Sequence, residues 1–134
     1  MTFFVDTSFW IALALQRDGY HALARRILQS LSSSDRFVTS EFVLIEFLNY
    51  FSERGSHSRK NALSYVRQFE ADPMLSIIPL SSELYHRGLK RFERSHDKGW
   101  SLTDCTSFLI MEDLGIQHAL AFDNHFEQAG FQVM

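Results

Sequence analysis

The chain has 134 residues, 46% of them hydrophobic and 22% charged, with 13 Lys and Arg against 16 Asp and Glu for a formal net charge of −3. That balance excludes a disordered tail and predicts a single domain over residues 1–134, with 13 Phe available for its core. One cysteine, Cys105, rules out an internal disulfide, no apolar run reaches the roughly 18 residues of a membrane span, and MTFFVDTSFW lacks the positive start of a signal peptide, so a cytoplasmic protein is expected.

Short β-rich runs alternate with longer helical patterns along the chain. Phe3–Val5 reads as a first strand, followed by helices over Ser8–Leu15 and His21–Leu31. A second strand at Phe37–Thr39 precedes helices over Glu41–Glu53 and Arg59–Ala71. Ser76–Ile78 is the third strand, with helices Glu83–Arg94 and Leu102–Leu114 after it. Ala119–Phe122 is the fourth, and a fifth falls at Phe131–Val133. Gly55 and Gly115 stand where left-handed caps close helices, and Pro73 follows another helix end. Ser81 is placed to cap the Glu83 helix, whose Leu84, Leu89 and Phe92 form an apolar stripe. Strands separated by helices of this length predict an α/β fold with a parallel sheet, in which ligands bind beyond the carboxyl ends of the strands.

Four acids fall in suggestive places. Asp6 ends the first strand and Asp123 the fourth, so both reach the crevice edge of a parallel sheet. Each also suits an ordinary turn or helix cap. Glu46 lies inside FVLIEFLNYF, among Phe42, Val43, Leu44, Ile45, Phe47, Leu48 and Phe51, where an unpaired charge is costly. It must be neutral, paired with a cationic or hydroxyl group, or bound to a cation. Asp104 completes the capping box Ser101-Leu-Thr-Asp104 and can serve both its cap and a pocket. Acids that converge repel one another, and a divalent cation removes that penalty. Carboxylates with water suit Mg²⁺ or Mn²⁺, which points to metal-assisted attack of water on a phosphodiester.

These segments carry a family resemblance. FFVDTSFWIALA, TSEFVLIEFLNY, SLTDCTSFLIMEDLG and HALAFDNHFEQAGF resemble the motifs of PIN-domain ribonucleases, most of all the small toxins of VapC type. The likeness covers Met1 to Met134 and implies a three-layer α/β/α sandwich around a central parallel sheet. It also implies a pocket of Asp6, Glu46, Asp104 and Asp123 holding Mg²⁺ or Mn²⁺, with Asp6, Asp104 and Asp123 as metal ligands. Ser8 and Ser101 would support that pocket by hydrogen bonding. RNA cleavage, a homodimer and a small cognate antitoxin follow from the same resemblance. One departure is Ala121, where many relatives carry Thr; Asn124 or His125 stand close enough in sequence to compensate.

The bases are uneven. Nine of the 13 lie between Arg54 and Lys98, and Arg87, Lys90, Arg91 and Arg94 recur as one stripe along a helix. That stripe is either a solvated face or an RNA-binding rim that tracks phosphates. Arg54, Arg59 and Lys60 offer the same two readings, and no RNA-stacking aromatic motif is visible. Trp10, Ile11 and Leu13 offer a homodimer surface or simply core packing.

Competing chemistries fare worse. Six histidines lack zinc spacing, and Cys105 has no dedicated His partner, so a small buried apolar role suits it. A phosphorelay receiver needs a late Lys, but none follows Lys98; a haloacid-dehalogenase phosphatase needs Asp where Ser8 stands. The remaining alternative is a non-catalytic PIN-like module that binds RNA or protein. If four of the 16 acids belong to a metal pocket, 12 remain against 13 bases, so the chain's acidity is no argument against RNA.

Overall fold

The computed structural model describes residues 1–134. Five strands, β1 (Thr2–Val5), β2 (Arg36–Ser40), β3 (Leu75–Ile78), β4 (His118–Leu120) and β5 (Gln132–Val133), form one sheet in the order β3-β2-β1-β4-β5. Every pairing is parallel, as the strand–helix alternation predicts. At the centre, β1 sets Phe4 opposite Val38 on one side and Ala119 on the other. Phe3, Phe4 and Val5 are all buried, the continuous apolar run expected of a strand covered on both faces.

Seven helices surround the sheet: α1 (Thr7–Ala14), α2 (His21–Ser30), α3 (Glu41–Phe51), α4 (Ser56–Ala71), α5 (Ser82–Arg94), α6 (Leu102–Leu114) and α7 (His125–Gln128). On one face, Trp10 of α1 stacks on Phe69 of α4 with ring centroids 4.1 Å apart. Those two rings, with Leu28 of α2, lie over Val5, Phe37 and Leu120. On the other face, Phe4 meets Phe126 of α7, which packs edge-on against Phe108 of α6. The result is the α/β/α sandwich, with a core of rings whose burial is its main source of stability.

Several local expectations change. Gly115 adopts the left-handed C-cap of α6, but Gly55 does not close α3. Its φ of 95° instead serves the turn that enters α4. Trp10 is core, with its indole N–H donating to Thr39 Oγ1 at 3.3 Å, so it offers no dimer surface. β4 stops at Leu120, and the chain then turns through Ala121–Asn124 into α7, a helix the sequence pattern did not announce. A four-residue helix is too short to carry a periodic signal.

The largest difference concerns α5. Ser81 caps it as expected, its Oγ accepting from Leu84 N–H at 3.0 Å. Of the predicted apolar stripe, however, only Leu84 is buried; Leu89 and Phe92 are exposed. The face turned to α6 carries Leu84, Arg87, Gly88 and Arg91. Arg87 donates two bonds to Asp113, at 2.7 and 2.9 Å, and Arg91 donates to Glu112 at 2.6 Å. Arg87 and Arg91 of the supposed phosphate-tracking stripe are therefore engaged by carboxylates of α6, while Lys90 and Arg94 remain exposed.

Gly88 permits this close approach. A Cβ there would lie 2.7 Å from Thr106 Cγ2 and 3.3 Å from Leu102 Cδ1. Helix propensity alone favours Ala over Gly, but the clash falls on a β-branched side chain with little freedom to move. Gly88→Ala is expected to destabilise by about 1–3 kcal/mol, measured by denaturant unfolding. Adding Thr106→Ser, which removes the clashing methyl, should recover most of that loss.

Candidate active site

Each acid reaches the carboxyl edge of the sheet by a different local device. Asp6 follows β1 and caps α1, with Oδ2 accepting from Ser8 N–H at 3.3 Å and from Ser8 Oγ–H at 2.8 Å. Ser8 Oγ in turn accepts from Phe122 N–H at 3.1 Å, tying the first turn of α1 to the segment after β4. Asp104 is held by the capping box legible in the sequence. Ser101 Oγ accepts from Asp104 N–H, and Asp104 Oδ2 from Ser101 N–H, both at 3.0 Å. Asp123 stands past β4, where its Oδ1 accepts from His125 N–H at 3.0 Å.

His125 completes the arrangement. Its Nδ1 lies 2.8 Å from Asp104 Oδ2 and 3.8 Å from Asp123 Oδ1. One donor atom each from Asp104, Asp123 and His125 falls within a 4.8 Å span. Ala121 is buried and contributes no hydroxyl. His125, named above as one possible substitute, is the residue that touches the acids, whereas Asn124 is exposed. Its sequence signal was no more than proximity to Asp123, since the contact with Asp104 spans 21 residues.

Glu46 behaves differently from the expectation of a sealed carboxylate. It sits half-buried on α3, where Val43, Leu44 and Phe47 fill the core and Ile45 faces solvent. The apolar residues of FVLIEFLNYF do not enclose it, because α3 exposes Glu41, Ile45 and Asn49 along one line. Glu46 also stands outside the cluster of Asp104, Asp123 and His125. Cys105 is fully buried next to Asp104, and burial raises its thiol pKa, consistent with a small apolar role.

Asp6 is 3% exposed and Asp104 5%. Burial is the main cause that pushes Asp6 up to about 7, and the charges of Asp123 and Asp104 add to it against the Ser8 bonds. Asp104 is raised by burial and by Asp123, opposed by the Ser101 amide and His125. No Lys or Arg enters either balance. Buried carboxylates that repel one another, with an imidazole beside them, form a donor set that fits a divalent cation. Asp104, Asp123 and His125 lie close enough together to hold one, and Asp6 is electrostatically coupled to both acids.

The sign of the pH effect follows from Asp6. In the unfolded chain its carboxyl ionises near 3.8, while in the fold it keeps its proton to about 7. Folding therefore takes up a proton between those values, and the stability contributed below pH 4 is lost as pH rises through 7. In EDTA, the Tm is expected to be lower at pH 8 than at pH 5.5 by roughly 5 °C. Asp6→Asn should flatten that difference in the same calorimetric scans.

Comparison with known proteins agrees with this geometry. The PIN domain family matches residues 3–132. The 23S rRNA-specific endonuclease VapC20 of Mycobacterium tuberculosis is 33% identical over 128 residues, spanning 96% of this chain and 94% of that protein. The crystal structure of Mycobacterium tuberculosis VapC20, described as a sarcin-ricin loop cleaving toxin, superposes with a TM-score of 0.86 at 30% identity, over 98% of this chain and 96% of that one. VapBC2 from Rickettsia felis, bound to a DNA fragment from its promoter, shares the fold alone, at a TM-score of 0.70 and 14% identity over 100% of this chain and 98% of that one. A match over nearly the whole length, with the acids gathered at the sheet edge, shows that this chain belongs to the PIN-domain family.

Proposed function

We propose that this protein is a Mg²⁺- or Mn²⁺-dependent endoribonuclease of the VapC toxin type, hydrolysing phosphodiester bonds of ribosomal RNA. The observation that carries this reading is the convergence of Asp6, Asp104 and Asp123, two of them buried, with no Lys or Arg among the groups that act on them. A divalent cation bound there would lower the pKa of water and offset charge on the attacked phosphate. The chain's own residues supply order. Ser8 fixes Asp6, Ser101 fixes Asp104, and His125 joins Asp104 to Asp123, so that the ligands are positioned before substrate arrives. Glu46, half-buried midway along α3, lies outside the cluster of Asp104, Asp123 and His125 and is assigned no part in holding the cation.

The relative named for 23S rRNA supports ribosomal RNA as the substrate class, with the sarcin–ricin loop as the first target to test. Lys90 and Arg94, the unengaged members of the α5 stripe, are candidates for phosphate contacts, whereas Arg87 and Arg91 act through the α5–α6 seam. A toxin acting in the cytoplasm requires restraint, and a small antitoxin is the partner that would supply it. Tyr85, Leu89 and Phe92 leave an apolar line exposed on α5, available to that partner or to a second copy in a homodimer.

Purified protein incubated with a synthetic sarcin–ricin stem-loop RNA should cleave it in Mg²⁺ or Mn²⁺ and not in EDTA. Asp6→Asn and Asp104→Asn are each expected to lower the cleavage rate about 10³-fold or more, read by gel electrophoresis. His125→Ala should weaken Mn²⁺ binding by about 10-fold in calorimetric titration. Cleavage that survives EDTA and both Asp substitutions would remove the metal-dependent reading.

A further inference from the structure

A column of three aromatic rings that the sequence does not announce passes through the residue preceding Asp123. Phe9, fully buried on α1, stacks on Phe122 with centroids 5.5 Å apart and planes 15° from parallel. Phe122 stacks in turn on Tyr20 at 4.5 Å and 5°. Tyr20 ends the column and is 50% exposed. The column therefore begins in the core and finishes at solvent.

The residue that supplies its middle ring is tied to the active site through its backbone. Phe122 immediately precedes Asp123, and its N–H donates to Ser8 Oγ, whose own hydroxyl donates to Asp6. The outer ring is anchored too. Tyr20 N–H donates to Asp18 Oδ1 at 2.8 Å, and the next residue, His21, places Nδ1 2.7 Å from Ala12 O. An exposed ring held this way loses little freedom when something flat stacks on it. Phe122 covers one of its faces, and half of its surface remains open.

We propose that the open face of Tyr20 is a stacking platform for an unpaired nucleobase of the RNA, next to the phosphate held at the acids. This deepens the ribonuclease reading and rests on it. Unpaired RNA is recognised by stacking splayed bases on aromatic side chains, and such stacking tolerates any base because each has a π-face. Phe122, on which Tyr20 stacks, is next to Asp123 in the chain, so the platform is joined to the segment that carries that acid. A base held on Tyr20 would fix which backbone position reaches Asp6, Asp104 and Asp123.

The test uses the full-length protein and a fluorescein-labelled sarcin–ricin stem-loop RNA, with abasic sites placed singly at each unpaired position. Tyr20→Ala is expected to lower kcat/KM by about 5- to 100-fold, with Mn²⁺ affinity unchanged. Tyr20→Trp should retain activity. Tyr20→Leu, which keeps packing on Phe122 without a π-face, should lose as much as Tyr20→Ala. One abasic position should weaken wild-type cleavage by a similar factor and have no further effect on Tyr20→Ala. Unchanged kinetics in Tyr20→Leu, or abasic losses that multiply with Tyr20→Ala at every position, would overturn the platform while leaving the ribonuclease reading intact. Wild-type protein that neither binds nor cleaves the RNA would overturn both.

Discussion

Mutual repulsion among carboxylates at one edge of the sheet is the constraint around which this fold is arranged. Asp6 and Asp104 are shut away from water, and Asp123 adds its charge to both. Left alone, such a group would protonate or drive the segments apart. The protein counters with fixed dipoles: the Ser8 hydroxyl and amide at Asp6, the Ser101 amide at Asp104, and the His125 amide at Asp123. These bonds position the acids without cancelling their charge. What remains is a deficit of positive charge, the property that would favour a cation there.

Placing those acids is the sheet's task. β1 and β4 are neighbours, and the backbone pairing continues one residue further, from Asp6 N–H to Leu120 O at 3.0 Å. That bond fixes Asp6 against the segment that leads to Asp123, and Ser8 to Phe122 repeats the tie from the side chain. Asp104 comes from α6, whose residues 104–111 are all buried, so the helix carrying it has little room to shift.

Much that rested on local chemistry was legible in the sequence, although Gly55 turns into α4 and does not close α3. The capping box at Ser101 and Asp104, the cap at Ser81 and the left-handed Gly115 follow from short-range rules, and the parallel pairing from the alternation of strands and helices. What was not legible depended on which face each helix turns inward. Arg87 and Arg91 looked solvated because charge normally faces water, yet α6 presents Asp113 and Glu112 to receive them. Meanwhile Leu89 and Phe92 face outward. Helical periodicity reports the apolar side of a helix and is silent when two helices meet through an ion-paired seam. Glu46 shows the converse: a run of apolar neighbours implied burial, but α3 keeps one line exposed.

The same limit hid His125 and the ring column, since both join residues distant in sequence. Phe122 and Tyr20 are 102 positions apart, and His125 and Asp104 are 21. Each distant partner is nonetheless tied to a residue whose placement is local: Phe122 by the amide that reaches Ser8, His125 by the amide that reaches Asp123. The segment Ala121–His125 thus carries a stacking ring, an acid and an imidazole at positions 122, 123 and 125. A shift in that turn would move all three together, so the acid, the imidazole and the ring are mechanically one unit. The short helix α7 is what holds that unit, because Phe126 anchors it between Phe4 and Phe108 in the core.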